Sequence, residues 1–321
     1  MSQGNTLEKL PVADDEQRLA LTAARDSLNR IILGKSDEVT LALACLLARG
    51  HLLIEDLPGL GKTILAQSLA RVLGLSFQRI QFTSDLLPAD IIGVSVFRQE
   101  SGQFEFQPGP VFAQLVLADE VNRATPKAQS ALLEAMEERQ VSVDGKTHAL
   151  PLPYFVVATQ NPADQIGTFP LPESQLDRFL MRIELGYPSQ ENERALITGT
   201  DRRELLSTIE PSLEPSTLGQ LQAAASLVHL SEPLVDYVQA LVRFTRESPY
   251  IDIGLSPRGA LALVAAARAH AFIEQHSGVF PDDVQAVFGS VAGHRLKAAS
   301  NSTYRTPAEL SEHVLSSVAI P

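Results

Sequence analysis

The sequence predicts an α/β fold with a mostly parallel sheet, followed by an all-helical domain. Three observations carry this. Apolar runs of strand length recur at Leu52 to Ile54, Phe77 to Phe82, Gln114 to Ala118, Tyr154 to Thr159 and Met181 to Leu185, with helical segments between several of them. Polar motifs fall at the carboxyl ends of these runs, where open parallel sheets collect their ligands. After Gly186-Tyr187-Pro188 the strand signal fades and helical periodicity takes over.

The chain starts with two helical patterns. From Glu16 to Arg30 the spacing of Leu19, Leu21, Ala24, Leu28 and Ile31 fits a helix, and Ser36 to Ala48 fits a second with Ser36 expected as its N-cap. The apolar strand from His51 then enters Asp56-Leu-Pro-Gly-Leu-Gly-Lys-Thr63, a phosphate-binding loop opening a helix over Lys62 to Leu73. Glycines let backbone N–H groups converge on phosphate oxygens, Lys62 reaches the β- and γ-phosphates, and the Thr63 hydroxyl can ligate Mg²⁺. Asp56 fills the first glycine slot of the pattern. Aspartate is among the few side chains that tolerate positive φ, so the turn is expected to survive if the carboxylate points away from the phosphates.

Residues 84–110 are irregular, then alternate Val94, Val96, Phe104 and Phe106, which reads as a hairpin inserted in or beside a helix. The next strand ends in Asp119-Glu120. With Lys62 and Thr63 upstream, Asp119 is expected to hold Mg²⁺ and Glu120 to polarise the attacking water. A helix over Lys127 to Arg139 leads to a second hairpin, residues 140–153, with Asp144-Gly145 as its tight turn. The strand from Tyr154 ends in Asn161, which can bond the γ-phosphate or the water beside it. Arg178 follows on a helix before the last strand. It either stabilises charge on a phosphoryl group or forms a surface ion pair with Asp177 or Glu173.

Helical patterns continue at Gln190 to Thr198, Ser216 to His229, Pro233 to Arg246, Pro257 to Ile273 and Pro281 to Leu296, with a charged linker from Asp201 to Pro215. The expected division is a nucleotide-binding core over 1–188 and a helical lid over 189–321. Ser256 is the expected N-cap and Pro257 the first helical residue, so Arg258 falls in the first turn. A cation there opposes the helix dipole unless an anion lies nearby, and a phosphate would serve.

Composition narrows the function. The chain has 321 residues, 45% hydrophobic, with Lys+Arg 26 against Asp+Glu 38 and a formal charge of −12. That charge opposes attraction to nucleic acid or anionic membrane. The one cysteine, Cys45, sits in an apolar stretch and reads as a buried, inert thiol. The polar N-terminus lacks a signal peptide's basic and apolar regions, and no apolar run reaches membrane-spanning length, so a cytoplasmic protein without membrane insertion is expected.

Pro58-Gly-Leu-Gly-Lys-Thr63, Leu117-Ala-Asp-Glu-Val-Asn-Arg-Ala124, Ala158-Thr-Gln-Asn-Pro162 and Leu171-Pro-Glu-Ser-Gln-Leu-Asp-Arg-Phe179 together resemble the MoxR group of AAA+ ATPases. The resemblance covers nearly the whole chain. It implies a five-stranded parallel sheet with a C-terminal helical lid, in the clade with an insert at helix 2 and a hairpin before the sensor-1 strand. It implies that Pro58, Gly59, Leu60, Gly61, Lys62, Thr63 and Ile64 bind ATP, with Gly34 of Ile32-Leu33-Gly34 near the adenine, although Lys35 stands where the family commonly has glutamine. Glu120, Asn161, Arg178 and Arg258 are then the catalytic set, with Asn161 as sensor 1, Arg178 as a finger on a neighbouring subunit and Arg258 as sensor 2. Asn122 and Arg123 match the family's Asn-Arg-Ala stretch, with an open role.

The resemblance further implies a Mg²⁺-dependent, ring-forming ATPase, typically hexameric, that remodels client proteins together with a separate von Willebrand A domain protein. In the expected cycle, ATP draws Arg258 and a neighbour's Arg178 onto its γ-phosphate. Rival readings are a chelatase-type metal-insertion subunit, a nucleic-acid motor, and a scaffold that binds nucleotide without turnover. The 140–153 hairpin, with Lys146 and His148 against Asp144, offers little charge for a phosphate track. Intact Lys62, Glu120 and Arg178 oppose the scaffold.

Overall fold

In the computed structural model, α1 (Asp15–Ile31) and α2 (Ser36–Leu47) precede the first strand. The structure describes residues 15–161, 167–300, 302–304 and 306–320; the first 14 residues and Pro162 of the Asn-Pro pair lie outside these. Helix α1 buries Leu21, Ala24, Leu28 and Ile31, one stripe at helical spacing. Helix α2 is covered on nearly every side, including Cys45, because it lies between the sheet and the C-terminal helices. Burial raises the Cys45 thiol far above its ordinary range, which keeps it protonated and inert. Ser36 is not the N-cap. The left-handed turn at Gly34 (φ 68) brings the chain into the helix one residue sooner, so Lys35 takes the cap position without a side-chain cap bond.

The remaining core elements are β1 (Leu52–Glu55), α3 (Lys62–Val72), β2 (Phe77–Gln81), α4 (Pro88–Ile92), β3 (Gly93–Arg98), β4 (Gln103–Pro108), β5 (Leu115–Asp119), α5 (Pro126–Glu138), β6 (Gln140–Val143), β7 (Lys146–Ala149), β8 (Phe155–Gln160), α6 (Glu173–Leu176) and β9 (Met181–Ile183). Five strands form one sheet in the order β2-β5-β8-β1-β9, each pair parallel. Alternate side chains serve opposite faces. Leu52, Ile54, Leu117 and Val157 join α1 to α3, whereas Leu53, Val116, Ala118 and Val156 join α4 and α5. The carboxyl ends of β1, β5 and β8 therefore stand side by side.

Both inserts form as expected. The β3–β4 hairpin follows the short helix α4, and its base needs Gly93 (φ 98), where a Cβ would lie 2.2 Å from the Gln107 carbonyl. Asp144 (φ 49) and Gly145 (φ 74) make the two-residue turn between β6 and β7. The Phe106 ring stacks on His148 at 4.0 Å, so the two hairpins touch.

After residue 186 come α7 (Gln190–Thr198), α8 (Arg202–Ser207), α9 (Pro215–Ser226), α10 (Glu232–Glu247), β10 (Ile251–Ile253), α11 (Pro257–Ile273), α12 (Pro281–Ala292), β11 (Lys297–Ala298) and α13 (Pro307–Ser317). The segment from Asp201 to Pro215 is more than a linker. Asp201 caps α8 by accepting from the Arg203 N–H at 2.8 Å, and Leu205, Leu206 and Ile209 pack on the core. One hydrophobic cluster runs from α2 through α9, α11 and α12. Among the described residues, no helix is long and apolar enough to cross a membrane.

Candidate functional site

The loop between β1 and α3 is a cradle. Gly59 (φ 85) and Gly61 (φ 92) take left-handed backbone, and a Cβ on either would meet nothing within 4 Å, so both line open space. Lys62 donates to the carbonyls of Asp56 and, at 3.5 Å, Gln160, which holds its ammonium across the mouth of the loop. Partial burial lowers the Lys62 pKa, opposed by the charges of Asp56, Asp119 and Glu120. Asp56 itself does not adopt positive φ, contrary to expectation, since the left-handed residues of the loop are Gly59 and Gly61. Its buried carboxylate accepts from Leu57 N–H at 2.8 Å and Gly186 N–H at 2.6 Å. Aspartate in the glycine slot thus ties the loop to the chain leaving the sheet.

Asp119 and Glu120 end β5 beside this cradle. Thr159 on β8 sets both: its hydroxyl donates to Asp119 Oδ1 at 2.6 Å and accepts from the Glu120 N–H at 2.9 Å. Glu120 sits in left-handed backbone (φ 57), which costs a non-glycine residue about 1–2 kcal/mol and turns its carboxylate away from the strand. Arg123 at 2.9 Å and Gln81 at 3.0 Å both donate to Glu120 Oε2; among the described residues nothing bonds Oε1. Arg79 from β2 donates to Asp119 Oδ2 at 2.6 and 3.1 Å. A carboxylate offers about four lone-pair sites, so Oδ1 keeps one for a metal or its water. These donors fit a nucleotide with Mg²⁺: hard oxygens from Thr63 and Asp119 suit a cation that keeps most of its water and binds phosphate. Asn161 is buried directly after β8, and its carbonyl accepts from Asn122 Nδ2 at 3.4 Å.

Arg178 and Arg258 lie elsewhere. Arg178 precedes β9, and β9 runs parallel to β1 with Met181 opposite Leu52, so Arg178 stands at the amino end of the strands. Lys62 stands beyond the carboxyl end, about 13 Å further for four residues of strand. Arg178 ion-pairs with Glu137 at 2.9 Å and donates to the Leu133 carbonyl at 3.0 Å; neither Asp177 nor Glu173 is its partner. Arg258 lies in the first turn of α11, whose N-cap Ser256 accepts from Gly259 N–H, and it too pairs with Glu137, at 3.2 Å. The anion that the helix start required is therefore a carboxylate. A cleft of about 360 Å³ at this end gathers Arg49, Arg139, Arg178, Arg258 and Arg295 against Glu137 and Asp177. Arg258 thus shares a place with Arg178 rather than with its own chain's Lys62.

Comparison with known proteins follows the same lines. Residues 51–181 match the ATPase family associated with various cellular activities (AAA), and residues 243–314 match the AAA lid domain. Chaperone MoxR1 of Mycobacterium tuberculosis is 42% identical over 310 residues, covering 92% of this chain and 80% of its own. The chain belongs to the MoxR family of AAA ATPases. YeaC of Bacillus subtilis is 45% identical over 276 residues, 86% of each chain. A crystal structure of a protein from Cytophaga hutchinsonii has a TM-score of 0.85 at 35% identity, covering 95% of this chain and 96% of that one.

In this MoxR ATPase the loop residues Pro58 to Ile64 and the pair Asp119-Glu120 meet at one sheet edge, with Asn161 beside them. Gly34 faces α7, where an added Cβ would lie 1.9 Å from Asn192 Nδ2. Thr159, Arg79 and Gln81 were not singled out by sequence reading. The signal available for Thr159 was its place as the first polar residue after the apolar run Phe155 to Ala158, two residues before Asn161.

Proposed function

We propose that this chain hydrolyses ATP with Mg²⁺ at the Lys62–Asp119–Glu120 edge, and that the site is completed by Arg178 and Arg258 of a neighbouring subunit in a ring, expected to be hexameric. The observation that carries this is the placement of both arginines at the end of the sheet opposite their own Lys62. A cation about one strand length away cannot touch its own γ-phosphate, whereas stacking subunits edge to edge sets it against the next one. In this reading Lys62 pairs the β- and γ-phosphates, and Glu120 Oε1 accepts the proton side of the attacking water. Asn161 fixes the γ-phosphate or that water. Mg²⁺, held by Thr63 and Asp119, would neutralise charge developing on the phosphate oxygens. Pro58, Gly59, Leu60, Gly61 and Ile64 line the nucleotide, and Gly34 lies near its base. Whether Arg258 serves its own chain's nucleotide or a neighbour's is open in the sequence, and its pairing with Glu137 beside Arg178 supports the neighbour's.

The chemical work is proposed to serve remodelling of client proteins, in keeping with a relative named as a chaperone, with a separate von Willebrand A domain partner and in the cytoplasm. Residues 1–188 act as the nucleotide-binding core and 189–321 as the lid. Glu120→Gln tests the assignment, because an amide still hydrogen-bonds but cannot accept a proton as a carboxylate does. Nucleotide affinity by calorimetry should stay within about threefold while phosphate release falls by about 10² or more. Turnover at the parental rate would remove Glu120 from the mechanism.

A further inference from the structure

Arg295 follows α12 in the C-terminal region, yet its guanidinium is spent on the core. Its side chain is only 5% exposed. Nε donates to Asp177 Oδ1 at 2.7 Å, Nη2 to the carbonyls of Asp177 at 3.2 Å and Phe179 at 2.7 Å, and Nη1 to the Leu180 carbonyl at 3.1 Å and to that of Val291. His294 adds a bond from Nε2 to the Phe179 carbonyl at 3.1 Å. Four of these Arg295 bonds therefore grip residues 177 to 180, on both sides of Arg178. The Arg178 side chain points instead to Glu137 on α5, and helix α6 before it has a single turn. A segment this short has little structure of its own, so its position follows whatever holds its carbonyls. That holder belongs to the C-terminal helices.

We propose that Arg295 is a positioning residue for Arg178: it transmits the placement of the helical region to the arginine that serves the neighbour's nucleotide. The inference rests on the trans reading given above. Lysine cannot replace the fork, since one ammonium cannot reach three carbonyls and a carboxylate in a plane. A reacting group displaced by about 1 Å loses on the order of 10²-fold in rate.

The test uses full-length Arg295→Lys protein, with Arg178→Ala and Glu120→Gln as partners for mixing. The expected result is unchanged ADP affinity by calorimetry, kcat down by about 10- to 100-fold and KM within about twofold. Mixing with Glu120→Gln, which keeps its own Arg178 and Arg295, should raise activity, whereas mixing with Arg178→Ala should not. A residue that only stabilised the fold would weaken nucleotide binding in its own chain, and no partner would restore it. The inference is overturned if Arg295→Lys turns over at the parental rate. It is also overturned if Glu120→Gln restores Arg178→Ala but not Arg295→Lys. If Glu120→Gln fails to restore Arg178→Ala in confirmed mixed assemblies, the trans reading falls and this inference with it. Should Arg295→Lys not fold, as judged by its thermal melt, Asp177→Asn weakens the same grip from the partly exposed side. It should give the same mixing pattern with a loss of about threefold or more, and a parental rate there overturns the proposal.

Discussion

Thr159→Val removes one hydroxyl at nearly constant volume from a fully buried site between the two carboxylates. Two bonds go with it: the 2.6 Å donation to Asp119 Oδ1 and the 2.9 Å acceptance from the Glu120 N–H. A hydrogen bond to a charged group contributes about 1.5–3 kcal/mol and a neutral one about 1 kcal/mol. The left-handed backbone at Glu120 then loses the contact that fixes it. If the charged bond's contribution is expressed in the transition state, at about 1.36 kcal/mol per decade, kcat falls by about 10- to 150-fold. Lys62, Thr63 and the loop backbone are untouched, so nucleotide affinity should change by less than about threefold. Thr159→Ser keeps the hydroxyl and should recover most of the rate. Steady-state phosphate release with saturating ATP and Mg²⁺ reads the first quantity, and calorimetry with ADP the second. A valine variant within twofold of the parent, with serine no different, would refute the claim that Thr159 sets the catalytic carboxylates.

Two further outcomes follow from buried groups. His51 is neutral in the native state: its Nδ1 accepts from the Val156 N–H at 3.0 Å, its Nε2 donates to the Met136 carbonyl at 3.2 Å, and burial lowers its pKa from 6.5 to about 4. The unfolded chain takes up a proton that the native chain refuses, so stability is full above pH 6.5 and falls as pH drops towards 4. The loss is on the order of 3 kcal/mol, with more than half of it gone by pH 5. Burial depresses His294 in the same sense. Urea midpoints at pH 7 and pH 5 should move less in His51→Gln than in the parent, and equal shifts would remove His51 as a cause. Asp56→Gly restores the usual loop residue but deletes the bonds to Leu57 and Gly186 N–H groups at a position that needs no left-handed backbone. ADP affinity should fall by about 3- to 30-fold rather than rise, and a tighter complex in calorimetry would contradict the anchoring role.

What could be read from the sequence was whatever is local. The three central strands β1, β5 and β8 are apolar runs buried on both faces, the loop and the Asp119-Glu120 pair are contiguous, and Asp144-Gly145 spells its own turn. Caps were less secure: Ser36 lost its place because a left-handed Gly34 shifted the entry of α2. Helix α13 was missed although its start carries a reciprocal cap, with Thr306 accepting from Glu309 N–H and Glu309 accepting from Thr306 N–H. Pairings across the fold had no local signal. Glu137 reads as one exposed acid on a helix face, yet it collects Arg178 and Arg258 from residues 41 and 121 positions away (178 − 137 and 258 − 137). Arg295 reads as an ordinary basic residue after a helix, and only the folded chain sets its fork against residues 177 to 180. The partner of Asp56 had no local signal either, because the Gly186 N–H comes from 130 positions away.

The central claim is that a complete site needs two subunits. Arg178→Ala protein keeps Glu120 but lacks the proposed finger; Glu120→Gln protein keeps Arg178 but lacks the carboxylate proposed to activate water. Arginine fingers contribute roughly 10³ to 10⁵ in rate in GTPase systems, so each alone should be nearly inactive while binding nucleotide. Phosphate release is measured across mixing ratios, with co-assembly followed by sizing. The account predicts activity above both parents, peaking at intermediate ratios and rising with protein concentration. Co-assembled mixtures that stay at the parental background at every ratio would contradict it.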